Sequence, residues 1–275
     1  ARTMCRAALI ILCAVVVEGL QQGEALTAET KTQTQPHLVF QLVDDWGWYN
    51  AGFHGNDAAK TPFLDSLVRE EGLLLERHYV FKFCSPSRRS FLTGRFPPHS
   101  GQLNDPGATI DYRFRTIAEV LRDDAGYATA HFGKWHAGHF SMAETPRGRG
   151  FEASLGYFNG QEDHWTRVDD EDGCGNVTDL WDDDDAANDA QVGVFGDDLY
   201  AQRVLDVLSE ADGDGQPVFV YWAMQVAHSP MEAPDRFVDA YADAPSPVEY
   251  AFVGFVDEAT KNATDALKKA GGWDR

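Results

Sequence analysis

Seven side chains stand where chemistry could be done. Asp44 and Asp45 are adjacent, Arg88 follows Cys84 by four residues, Lys134 and His136 are two apart, and His228 precedes Ser229 and Pro230. Paired carboxylates are hard oxygen donors for a cation such as Ca²⁺. A thiol, once ionised, is a nucleophile or a metal ligand. Fixed cations stabilise an anionic group in transfer, and a histidine can accept or return its proton. Each residue also has a plainer reading. Asp44 and Asp45 can be turn residues, and so can His228 with its Ser-Pro. Lys134-Trp135-His136 can be a surface turn around a core tryptophan. Cys84 can be an inert buried thiol or the disulfide partner of Cys174. A thiol protease with His136 or His228 as base would also use these residue types.

The elements that must position them are legible as alternating strands and helices. His37–Val43 is nearly continuously apolar, as a strand buried on both faces would be, and it ends in Asp44. Thr61, Pro62 and Gly72 bracket a short helix over 61–71. Leu73–Val80 reads as a second strand, placing Cys84 just beyond its end. Residues 85–93 are expected to be helical, with Gly94 as the stop. Thr116 and Glu119 form a capping box opening a helix that ends near Gly126. Tyr127–Phe132 is the third strand and leads into Lys134. Asp197 or Asp198 starts another helix. Pro217–Met224 is the fourth strand and leads into His228, and a long helix covers about Val248–Lys269. Strands alternating with helices predict a largely parallel sheet covered on both faces. In such sheets ligands sit beyond the carboxyl ends of the strands, where six of the seven fall, with Arg88 one helical turn after Cys84.

Composition narrows the function classes. Apolar residues make up 43% and charged residues 24%, as in a packed globular protein. The net charge of −21 argues against general nucleic-acid binding, which needs basic surface, and against an anionic membrane surface. Arg2 and Arg6 precede an apolar run, Ala7–Val17, and Gly23-Glu24-Ala25 offers small residues for cleavage. Residues 1–25 therefore read as a secretory signal peptide; the run is too short for stable membrane insertion. Asn176 and Asn262 begin Asn-x-Thr triplets, expected to carry glycans in a secreted chain. Residues 161–198 are rich in aspartate. They read as a solvated surface insertion in preference to a second Ca²⁺ site, because their spacing fits no EF-hand loop.

The stretch Cys84-Ser85-Pro86-Ser87-Arg88, followed by Leu92-Thr93-Gly94-Arg95, resembles the signature of the sulfatase family. The resemblance runs from about Pro36 to Arg275. It includes Leu42–Trp48 as the first metal segment and Gly133–Gly138 as the Gly-Lys-Trp-His-x-Gly segment. Arg149-Gly150-Phe151 and Gln225–Pro230 match too, the latter bearing the second histidine. Within the family, order and flanks look most like the arylsulfatase B type, an N-acetylgalactosamine 4-sulfatase.

The resemblance implies an α/β fold of the alkaline-phosphatase-like kind, with a mixed, mostly parallel sheet and helices on both faces. It implies hydrolysis of sulfate esters, on sulfated carbohydrates or aryl sulfates. Cys84 would be oxidised to formylglycine by a formylglycine-generating enzyme in the secretory pathway, for an extracellular or lysosomal protein. Arg88 would lie within reach of the modified residue, Lys134 and His228 would hold sulfate oxygens, and His136 would be a general base. Asp44, Asp45 and the modified Cys84 would ligate Ca²⁺. Ser87 belongs to the signature without a separate chemical role.

The family carries a further strand with an Asp-Asn pair, and a smaller C-terminal domain, that this sequence lacks. The fold is therefore expected to be incomplete at its C-terminus, as in a fragment, with 26–275 the catalytic portion, an incomplete metal site and an open apolar sheet edge. Without the cation, Asp44 or Asp45 is expected to hold a proton, since adjacent carboxylates repel. Two other functions fit the same features: a phosphatase or phosphodiesterase of the same superfamily, and a catalytically silent secreted binding protein.

Overall fold

The computed structural model describes residues 9–13, 35–100, 109–169, 177–187, 191–213 and 215–273. In chain order the strands are β1 (Leu9–Cys13), β2 (Leu38–Val43), β3 (Ala128–Lys134), β4 (Ala153–Tyr157), β5 (Val168–Asp169), β6 (Val177–Thr178), β7 (Trp181–Asp182), β8 (Asp185–Ala186) and β9 (Val218–Met224). The α-helices are α1 (Pro62–Ser66), α2 (Cys84–Thr93), α3 (Ile117–Ala125), α4 (Gly196–Glu210), α5 (Asp235–Ala240) and α6 (Pro247–Ala270).

The main sheet runs β1-β2-β9-β3-β4-β7-β8, and β5 pairs with β6 apart from it. Its centre, β2-β9-β3-β4, is parallel, while β1 and β7 are antiparallel to their neighbours. This is the mixed, mostly parallel sheet that the sequence implied. In β9 every residue is buried. Val220, Trp222 and Met224 join a core with Val204 and Leu208 of α4 and Phe252 and Val256 of α6. Phe219, Tyr221 and Ala223 point to the other face, onto Leu92 of α2 and Ala118 of α3. Alternation across a strand covered on both faces explains the unbroken apolar run.

Helix ends follow local chemistry. Thr116 Oγ1 accepts from Glu119 N at 3.1 Å, and Glu119 Oε2 accepts from Thr116 N at 2.6 Å, the expected capping box at α3. Thr61 does not cap α1. Its hydroxyl donates to Asp65 Oδ1 and accepts from Gly52 N. The open amides of Phe63 and Leu64 are taken by the Asp257 carboxylate of α6, at 3.2 and 2.8 Å. A tertiary partner thus replaces the local one.

Two expectations are corrected, and one strand was missed. Leu73–Val80 is not a strand, so Cys84 follows no strand end. β1 and β7 occupy the flanks of the parallel core, so no free flank of it remains for 73–80, and Leu73 and Tyr79 are each 83% exposed. β4, with its small residues and Gly156, was not foreseen. The sheet is expected to have an open apolar edge; on the β2 side it is covered by β1, whose residues fall inside the expected signal peptide.

The acidic segment is also less uniformly solvated than expected. Asp179 and Asp197 are buried, whereas Asp182 pairs with Arg203 on the surface. Residues 170–176, with Cys174 and Asn176, lie outside the described residues. Among those described, no helix is long and apolar enough to cross a membrane.

Candidate active site

Three parallel strands and one helix deliver the seven residues to a common place. β2 ends at Val43 opposite Met224 of β9, and the pairing continues past both strands. Asp44 N donates to Val226 O at 3.0 Å and Ala227 N donates to Asp44 O at 2.7 Å. Asp44 and the turn carrying His228 are therefore held to each other by backbone. β3 ends at Lys134, and the amides of Trp135 and His136 donate to Tyr157 O at the end of β4 and to Phe158 O just beyond it. Cys84 is the first residue of α2, where open amides and the helix dipole favour negative charge. Arg88 lies one turn further on.

Charge is concentrated on one carboxylate oxygen. Asp44 Oδ2 is 2.6 Å from Lys134 Nζ and 3.4 Å from an Arg88 guanidinium nitrogen, and all three side chains are buried. Arg88 also donates to Lys134 O at 2.9 Å and to Tyr221 Oη at 3.3 Å. Burial by itself would raise the Asp44 carboxyl. The Lys134 ammonium, the Arg88 guanidinium and His228 outweigh it and hold that carboxyl well below the usual range. The expectation that Asp44 or Asp45 holds a proton is thus corrected for Asp44: the chain's own cations compensate it.

The half-buried Cys84 is a free thiol, raised by burial and by the Asp44 charge, with Lys134 and Arg88 opposing. His136 is pushed well below its ordinary value by burial and by Lys134 and Arg88, so its imidazole is neutral at physiological pH. His228 Nδ1 lies 2.8 Å from Ser229 O, and its Nε2 lies 3.8 Å from Asp45 Oδ2. Asp44, Cys84 and His228 offer ligand atoms that all lie within 4.8 Å of one another. Asp45 and His136 have φ of 56° and 47°, in the left-handed region that non-glycine residues seldom occupy. Such geometry concentrates at functional sites.

Some supporting residues were not foreseen. Tyr221 reaches Arg88 from β9, but within an apolar strand run it reads as core. Ser87 has a positional part: its hydroxyl donates to Phe83 O at 2.7 Å, tying the entry of α2 to its first turn. Asp197 reads in the sequence only as a helix start. Its carboxylate accepts from Gln225 N at 3.0 Å and Val226 N at 3.2 Å, gripping the turn before His228. Buried His164 adds a longer contact, 3.4 Å, to His228 O.

A family model described as Sulfatase matches residues 36–275. Mouse Arylsulfatase J is 36% identical over 262 residues, covering 91% of this chain and 43% of that protein. The N-acetylgalactosamine-6-sulfatase of Sus scrofa is 29% identical over 232 residues, covering 74% of this chain and 42% of that protein. The chain thus spans less than half the length of these two relatives. Among solved structures, the PsFucS1 sulfatase from Pseudoalteromonas sp. superposes with a TM-score of 0.69 at 24% identity, over 88% of this chain and 53% of that one. That last likeness is one of fold. Together the matches show the family, and not the arylsulfatase B type within it.

Proposed function

The chain belongs to the sulfatase family, and from that premise we propose that it hydrolyses sulfate esters of sugars. The observation that carries this is the buried Lys134–Asp44–Arg88 cluster beside Cys84 at the head of α2. In a chain of net charge −21, fixed cations at the end of β3 and in the first turns of α2 concentrate positive charge where an anionic substrate would sit.

Lys134 and His228 are assigned to the sulfate oxygens. Arg88, pinned by Lys134 O and Tyr221, faces the residue at position 84. Its geometry is set before substrate arrives, so little reorganisation accompanies charge development. His136, neutral through burial, can take a proton as general base. Formylglycine made from Cys84 would supply an oxygen nucleophile with a second hydroxyl for sulfate release. The carboxylates of Asp44 and Asp45 are the hard donors that suit Ca²⁺. They would hold part of its shell, with Asp44 Oδ2 already engaged by Lys134, and the cation would add positive charge to the site. The secretory pathway is the compartment that suits this chemistry, with a formylglycine-generating enzyme as the modifying partner.

The test is sulfate release from an aryl sulfate and from the 4- and 6-sulfates of N-acetylgalactosamine, using chain in which residue 84 is confirmed as formylglycine. Release that disappears in Cys84→Ser and falls at least about a hundredfold in Lys134→Ala is expected. Equal release by the Cys84→Ser chain would overturn the assignment.

A further inference from the structure

We propose that while residue 84 is still a cysteine, Asp44, Cys84 and His228 form a binding site for a borderline-soft divalent cation, Zn²⁺ or Co²⁺. The three residues come from separate elements: the end of β2, the start of α2 and the turn after β9. Their ligand atoms already lie within 4.8 Å of one another. Tetrahedral zinc, with bonds of about 2.0–2.3 Å, places its donors roughly 3.3–3.8 Å apart. Closure therefore needs a contraction of about 1 Å. The half-buried side chains of Cys84 and His228 can supply it by rotation, while Asp44 stays fixed by its backbone bonds and by Lys134.

The tautomer of His228 points the same way. Its Nδ1 faces Ser229 O at 2.8 Å. A carbonyl oxygen only accepts, so Nδ1 carries a proton, and Nε2 is the nitrogen that can give up its proton to meet a metal. A zinc-binding histidine is typically held this way, one nitrogen donating to a carbonyl while the other meets the metal. Nε2 lies 3.8 Å from Asp45 Oδ2, so Asp45 or a water molecule can complete four ligands. Lys134 and Arg88 offset the carboxylates, and the cation offsets the thiolate that forms with it.

Ligand type sets the preference. Sulfur and imidazole select zinc or cobalt over Ca²⁺. As the sulfur–metal bond forms, the thiol proton passes to solvent, so each cation bound releases one proton. Loss of the site when Cys84 becomes formylglycine rests on the proposed function; binding by the thiol form does not.

The experiment is titration of the full chain, made in a host that leaves Cys84 as a thiol, with Co²⁺ alone under argon. A near-ultraviolet thiolate-to-cobalt charge-transfer band is expected to saturate at one equivalent, to be displaced by Zn²⁺ and to persist in excess Ca²⁺. It should vanish in Cys84→Ser, weaken about tenfold or more in His228→Gln, and be unchanged in Cys174→Ser, each folded by circular dichroism. No band at one equivalent, a band that survives in Cys84→Ser, or unaltered affinity in His228→Gln would each overturn the site. The band reads binding alone, so a chain that hydrolyses no sulfate ester tests the site equally well.

Discussion

Lys134 Nζ and Asp44 Oδ2 meet at 2.6 Å with both side chains shut away from solvent. Removing one partner of a buried pair leaves the other charge uncompensated. Lys134→Met is expected to cost about 3 kcal/mol, the lower end for such pairs, because Arg88 remains beside the carboxylate. The pH dependence has a definite sign. A carboxyl held below its unfolded value stabilises the fold above that value, and this is lost as pH falls through the folded one. In the variant the loss should begin at higher pH. Urea unfolding between about pH 3 and 7 reads both effects.

Asp197 behaves in the opposite sense. Burial raises its carboxyl to about 7, against the Gln225 and Val226 amides that favour the charged form. Its contribution is fully present below the ordinary value of 3.8 and is lost as pH rises towards 7. Asp197→Asn should remove this decline. It should also cost about 1–3 kcal/mol at acid pH, since one amide loses its acceptor. Thermal melts of both chains on either side of neutrality are the check, and parallel pH profiles would contradict it.

Gly133 precedes Lys134 with φ of +108°, and a Cβ there would lie 2.0 Å from Ala223 O of β9. Gly133→Ala is expected to destabilise by about 3 kcal/mol or more. Gly94, with φ of +64° and open space around it, should lose only about 1 kcal/mol on the same change. Chemical denaturation of the two variants separates backbone collision from conformational preference alone.

Chain secreted from a host able to modify the motif should yield a peptide in which residue 84 has exchanged its thiol for an aldehyde reactive to hydrazide. Mass spectrometry of that peptide decides it. A free thiol, or a Cys84–Cys174 disulfide, in every molecule would refute the modification.

Asn262 lies on an exposed face of α6, next to buried Ala263 and Thr264. A glycan there would project outward without disturbing the core. Asn262→Gln should abolish a glycosidase-sensitive mobility shift of the secreted chain while leaving its melting temperature nearly unchanged.

Much of this was readable in the sequence because the signals are local. The apolar runs of β2 and β9, the capping box at Thr116 and the bounds of α6 need only neighbouring residues. Leu73–Val80 shows the limit: it has the residue types of a strand, but pairing depends on which sheet edges are already taken. β4 shows the converse, since Gly156 suits it only because Gly133 O would lie 1.9 Å from a Cβ. At the site, the motifs gave the seven residues. That Asp44 is matched by Lys134 and Arg88, and that Asp197 grips the His228 turn, are contacts between distant segments that no spacing rule contains.

The two hydrogen bonds that carry the β2–β9 ladder beyond the strands, Asp44 N to Val226 O and Ala227 N to Asp44 O, also fix how this floor moves. Amides bonded into a central sheet exchange with deuterium only through the largest openings of the fold. The protons on Asp44 and Ala227 should therefore survive in heavy water as long as those of β9 itself. Local breathing cannot part these two segments, and adaptation to a ligand falls to the side chains standing on them.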